Sequence, residues 1–207
     1  MQLAHLNIFA AMWLAWMLYW LLAAARTKQT ARRESHASRI SHVLPLAIAA
    51  VLLGTPKVPI AGFSARLLPF PLAAYWAGAF ITACGLLFTV WARVHLAGNW
   101  SGTVTIKQGH ELIQTGPYAY VRHPIYSGLL FAFAGSALGR NDVRGLVALA
   151  IAIVALWRKL RIEEQWLTQE FGPAYEAYRR RARPDPLRRL IVASGSPATM
   201  RREPGCV

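Results

Sequence analysis

The chain has 207 residues, 55% of them hydrophobic and only 15% charged, and it carries a net charge of +14. The length fits one domain, and the apolar majority excludes an ordinary soluble globule in favour of a chain that faces lipid. Two cysteines, Cys84 and Cys206, exclude a disulfide framework and a cysteine metal box; Cys84, set in an apolar run, reads as a small buried apolar residue.

The first apolar run, Leu6–Ala25, is free of charge and long enough to span a bilayer as a helix. Met1–Asn7 holds no Lys or Arg, so the run reads as a retained helix rather than a signal peptide, with Tyr19 and Trp20 at a headgroup interface. Residues 26–41 are a basic loop. Val43–Leu53 is apolar but short, is ended by Gly54-Thr55-Pro56, and would cross with a break continuing through Pro59-Ile60-Ala61. Residues 62–69 read as a loop, and Phe70–Leu96 as a spanning helix. A polar connection over 97–124 follows. Ile125–Gly139, rich in small residues, and Gly145–Trp157 form a helical hairpin about a turn at 140–144. The second helix runs on as an amphipathic segment from Arg158 to Phe171. Gly172 stops it, Pro173 starts a short helix, and Pro184 and Pro186 end that one. The expected fold is an all-α integral membrane protein of about five transmembrane helices. Three lie in 1–96, a core with a cytoplasmic-face cofactor pocket occupies 97–186, and a basic, disordered tail covers 187–207.

Charge sets the expected orientation. With five spans, all but four of the 23 Lys and Arg fall on one side; Lys57, Arg66, Arg140 and Arg144 fall on the other. The positive-inside rule then places the N-terminus outside and the C-terminus in the cytoplasm. The same placement assigns the +14 to anionic headgroups of the lipid bilayer, with no nucleic acid as partner.

Two polar clusters fall on the expected cytoplasmic side. Gly116-Pro117-Tyr118-Ala119-Tyr120-Val121-Arg122-His123-Pro124-Ile125-Tyr126-Ser127-Gly128 mixes bend-forming and hydrogen-bonding residues that neither a helix nor a strand interior selects. It suits a ligand pocket, and equally a structural elbow with Tyr118, Tyr120 and Tyr126 as interfacial anchors. Glu163-Glu164 follows the hairpin. Lys159 and Glu163 are four apart and can pair on one helix face, or the carboxylates can hold a cationic or amino-bearing ligand. His110-Glu111 lacks a partner at helical spacing, so no metal site is expected, and no P-loop, GxGxxG or serine elbow is present.

Gly116-Pro117-Tyr118-x-Tyr120-x-Arg122-His123-Pro124-x-Tyr126-x-Gly128, His110-Glu111-Leu112-Ile113 before it, Glu163-Glu164 after it and Phe171-Gly172-x-x-Tyr175-x-x-Tyr178 together resemble the isoprenylcysteine carboxyl methyltransferase family of integral membrane methyltransferases. The resemblance covers about Trp91 to Pro186. It implies S-adenosylmethionine as cofactor, bound by His110, Glu111, Leu112, Ile113, Tyr118, His123, Pro124, Ile125, Tyr126 and Glu163. Arg122 and Glu164 join the cofactor set as neighbours within the two clusters. Where the family has a substrate-binding arginine this chain has Lys159, so that Lys159, Arg158 and Arg161 are the candidates for gripping the acceptor. The implied acceptor is small or lipidic, with a carboxylate as one option. The short basic chain looks bacterial, which implies an inner membrane. The residues also leave open a phospholipid N-methyltransferase, an NADPH enzyme of the sterol-reductase type, and a non-catalytic membrane protein. The last would present Ala25–Arg32, identical to the start of mature histone H3; the reading preferred here is an accidental match in a basic loop.

Overall fold

The computed structural model describes residues 2–24, 30–55, 65–100, 105–107 and 111–182. The histone-like segment lies largely outside them, as do the expected break after Gly54, His110 and the basic tail. Helices α1 (Gln2–Ala24), α2 (His36–Gly54), α3 (Pro71–Leu96), α4 (Pro124–Arg140) and α5 (Val143–Phe171) form the bundle, and a short α6 (Pro173–Arg181) follows. Of these, α2 and the stretch 71–99 are long and apolar enough to cross a membrane, whereas the apolar part of α1, 8–24, is shorter. Large apolar side chains face outward on every long helix. They include Leu18 and Leu22 on α1, Leu44 and Val51 on α2, Phe80 and Leu87 on α3, Phe131 on α4 and Val154 on α5. Apolar surface of that extent suits lipid rather than water.

The chain runs back and forth between two ends. At one end, which we call the polar end, Arg93 near the end of α3 donates to the Ala23 carbonyl of α1 at 2.8 Å, and Arg158 on α5 donates to Ser41 on α2 at 2.6 Å. At the other end Arg140 donates to the Thr55 carbonyl at 2.9 Å, while the Asn141 side chain brackets Leu68 with bonds of 2.9 and 3.0 Å. Asp142 caps α5 through the Gly145 amide at 3.0 Å and pairs with Arg144 at 2.9 Å and Arg140 at 3.1 Å, so one carboxylate holds both arginines of the hairpin turn.

The tightest seam is α3 against α4, and it is made of absent side chains. A Cβ on Gly85 would lie 2.6 Å from the Gly128 carbonyl, and one on Gly128 would lie 2.7 Å from the Gly85 carbonyl. The backbones therefore touch, as small residues permit in lipid. Trp13 donates to Ser136 at 3.0 Å and Trp16 to Thr89 at 2.6 Å, which fixes α1 over this seam. On the far side of the hairpin α2 packs along α5, with Ala49, Ala148 and Ala152 buried between them.

Three expectations change. α2 starts at His36, inside the stretch read as a basic loop, because Ser35 caps it by accepting from the Ser38 amide at 3.2 Å. The basic loop and the polar connection are not wholly irregular: beside the helical bundle, β1 (Thr30–Arg33) pairs antiparallel with β2 (Thr105–Lys107) at the polar end. Cys84 is exposed, because helical periodicity sets it on the outward face of α3 with Phe80, Leu87 and Trp91. The hairpin is found as expected, and α5 runs unbroken through the amphipathic segment to Phe171.

Candidate active site

The motif loop is a turn that places a helix start. Gly116 has φ 58, and a Cβ there would sit 2.2 Å from the His95 ring, so both backbone and space require glycine. A single 3-10 turn over Gly116–Ala119 buries Pro117 and Tyr118. His123 precedes α4 at φ −125 and ψ 66, outside the helical region, and Pro124 takes the first helical position, where its missing N–H costs nothing. His123 and Tyr126, one turn apart, then stack with ring planes 5° apart and centroids at 5.6 Å.

The polar extension of α5 brings both glutamates to this turn, where they diverge. Glu164 accepts from Arg122 Nε at 3.0 Å, pairs in charge with its Nη2 at 2.9 Å, and faces His123 Nε2 at 3.5 Å. Burial by itself would raise its carboxyl. The nearby His123 ring, joined by the charge and hydrogen bond of Arg122, outweighs that and holds it at about 2. Glu164 is thus an anchor. Glu163 accepts the Tyr126 hydroxyl, lies 4.0 Å from His123 Nδ1, and keeps a third of its side chain exposed. Above the Tyr126 ring, 5.3 Å from its centroid, stands the Lys159 ammonium. α6 closes over the site: Tyr178 donates to the Tyr118 carbonyl at 2.7 Å, and Arg122 Nη1 reaches the Arg179 carbonyl at 3.5 Å. Burial, more than the nearby glutamate charges, pushes the Tyr118 and Tyr175 hydroxyls well above their ordinary range, so both stay protonated donors.

These groups surround a cavity of about 320 Å³. Of the residues singled out from sequence, Glu111, Leu112, Ile113, Tyr118, Arg122, His123, Ile125, Tyr126, Lys159 and Glu163 line it. Pro124 shapes the turn without lining the cavity, and Glu164 stands behind Arg122 and His123. Among the three basic candidates only Lys159 reaches it. Arg158 is held by Ser41, and Arg161 lies over the Trp157 ring at 4.9 Å. Lining residues not anticipated as such are Trp16, Trp20, Asn99, Trp100, Trp166, Leu167, Tyr175 and Tyr178, with Leu46, Leu129 and Leu156 forming an apolar floor deeper in the bundle. The spacing of Tyr175 and Tyr178, one turn apart just after a helix stop, was a readable signal; Asn99 gave none.

The cavity can hold a ligand of mixed character. A carboxylate oriented by a tyrosine can take a cationic amino group, an ammonium can take an anion, and the apolar floor can take a hydrocarbon. Among the buried polar atoms of lining residues, Arg122 Nη2 and His123 Nε2 face the Glu164 carboxylate, whereas Asn99 Oδ1 and the Tyr175 hydroxyl have neither a hydrogen-bond partner nor such an ion pair among the described residues. Such atoms are satisfied by a polar ligand.

Residues 73–174 match the family model for phospholipid methyltransferase, just under half of the chain. The chain is 32% identical over 127 residues to the protein-S-isoprenylcysteine O-methyltransferase of Schizosaccharomyces pombe, covering 58% of this chain and 52% of that protein. It is 32% identical over 99 residues to the Saccharomyces cerevisiae protein of the same name, covering 44% and 40%. To protein-S-isoprenylcysteine O-methyltransferase B of Arabidopsis thaliana it is 32% identical over 79 residues, covering 36% and 39%. The chain thus spans about half the length, or less, of these relatives.

Proposed function

We propose that this chain, isoprenylcysteine-methyltransferase-like in sequence, is a membrane-embedded methyltransferase that moves a methyl group from S-adenosylmethionine to an acceptor with an apolar tail. The observation that carries this reading is the meeting of Glu163, Tyr126, His123 and Lys159 above an apolar floor in one cavity. The residues fit the donor: a carboxylate for its ammonium, and two buried polar atoms that need partners. Bound there, the donor would supply an electrophilic methyl carbon on a sulfonium.

The protein's part is positioning and exclusion of water. Tyr126 donates to Glu163 and so fixes the carboxylate that grips the amino group. Arg122 and Glu164 lock the start of α4 to α5, which keeps His123 and Tyr126 parallel. Lys159, against the Tyr126 face, steers an anionic acceptor group, and an ionised carboxylate acceptor needs no general base. Leu46, Leu129 and Leu156 receive the acceptor's tail. The asymmetry of Lys and Arg supports five crossings with this end in the cytoplasm. A second acceptor class, the amine of a phospholipid headgroup, is favoured by the matched family model.

A screen of acceptors with radiolabelled donor tests the reading. Prenylated cysteine, phosphatidylethanolamine and fatty acids would be compared in detergent. Label in a carboxylate-bearing lipid, abolished by Glu163→Ala, is the expected result. Label only in an amine would move the assignment to the second class, and no label in any acceptor would count against methyl transfer.

A further inference from the structure

The cavity has three walls of different chemistry. One is charged, with Glu163 and Lys159. The floor is apolar. The third is neutral and aromatic and consists of Trp20, Asn99 and Trp100. Trp20 stacks on Trp16 at 4.5 Å and meets Trp100 edge-on at 5.6 Å. On this wall Asn99 is only 6% exposed, and its Oδ1 is buried with no hydrogen-bond partner among the described residues. A buried acceptor left unpaired is costly, so this oxygen marks where a ligand should bring a donor.

The position of that oxygen is built rather than incidental. α3 ends at Leu96, and Ala97 turns the chain at φ 47 into the 3-10 turn Ala97–Asn99. Arg93, itself buried, braces the turn: its Nη1 donates to the Ala97 carbonyl at 2.6 Å, and its guanidinium lies 4.6 Å above the Trp100 ring. The same side chain reaches Ala23 on α1, so the turn is fixed to two helices at once.

We propose that Asn99 is a specificity residue for the donor's base: its Oδ1 accepts from the exocyclic amino group of adenine, with the purine against the Trp20–Trp100 wall. This rests on the methyl-transfer reading. The donor's ammonium is assigned elsewhere because a full positive charge leaving water needs a carboxylate, which Glu163 supplies. A neutral amine on a flat ring needs only a neutral acceptor and an aromatic face. An asparagine amide suits the amino edge of adenine, and indoles stack on any base.

Calorimetric titration of the full chain in detergent tests it, with S-adenosylhomocysteine and the analogue whose purine carries hydrogen in place of the 6-amino group. Wild type should bind the analogue about 10- to 100-fold more weakly. Asn99→Ala should weaken S-adenosylhomocysteine by a similar factor and reduce the discrimination to less than about threefold. Asn99→Asp, which keeps an acceptor of the same shape, should retain the discrimination and carries the test if the alanine variant does not fold. Equal binding of both ligands by wild type, or undiminished discrimination in Asn99→Ala, overturns the assignment, as does its loss in a folded Asn99→Asp. Failure of wild type to bind S-adenosylhomocysteine at all would strike the methyl-transfer reading itself, which keeps the two failures apart.

Discussion

Glu164→Gln removes a charge from the polar end while keeping its shape, and its effect can be worked out in advance. The carboxylate faces the Arg122 guanidinium at 2.9 Å and His123 at 3.5 Å, with 16% of its side chain exposed. Burial alone would raise its titration, but the interactions with His123 and Arg122 bring it to about 2 from an ordinary 4.5. That gap corresponds to about 3 kcal/mol of stability at neutral pH, as an upper bound. A depressed carboxyl stabilises the fold above its unfolded-state value and loses that contribution as pH falls toward its folded-state value. More than half of the contribution is therefore gone by about pH 3. Tryptophan fluorescence melts of wild type and variant in detergent, from pH 7 to pH 3, read this out. At pH 7 the variant should melt about 5–10 °C lower, and the two curves should converge as pH falls. Equal melting temperatures at pH 7, or a gap independent of pH, would refute the role given to Glu164.

Lys159→Met should lower kcat/KM for an anionic acceptor by about 10- to 100-fold with little change in melting temperature, whereas Arg158→Ala should change turnover less than about twofold because Arg158 is spent on Ser41; steady-state kinetics on both variants decides. Tyr126→Phe leaves Glu163 without its fixing donor and should weaken donor binding by about tenfold in a calorimetric titration. Gly128→Val forces a Cβ against the Thr89 side chain at 2.6 Å and the Gly85 carbonyl. It should cost about 1–3 kcal/mol or more, seen as a lower melting temperature or as aggregated protein on size exclusion.

What the sequence made legible was local. Gly116, Pro117 and Pro124 punctuate the chain strongly enough to place a turn and a helix start, and adjacent glutamates in a chain this poor in acid stand out on their own. The choice among Arg158, Lys159 and Arg161 was also available in principle: only Lys159 shares a face with Glu163 four residues on. What stayed hidden depends on partners far along the chain. β1 and β2 are three or four residues each and gain meaning only by pairing across more than seventy positions. The start of α2 was masked by composition, since four of the six residues His36–Ser41 are polar and only the Ser35 cap reveals a helix. Cys84 was misplaced because an apolar neighbourhood says nothing about which face looks outward. Asn99 is an unremarkable residue until burial removes its water.

The central claim is that the cavity at the polar end holds S-adenosylmethionine through Glu163. Its most direct test is a calorimetric titration of S-adenosylmethionine into intact protein in detergent, repeated on a Glu163→Gln variant that melts as wild type does. Saturable one-to-one binding by wild type, weakened at least about tenfold in the variant, is the predicted result; absence of binding by the intact protein, or equal affinity in the two, would contradict it.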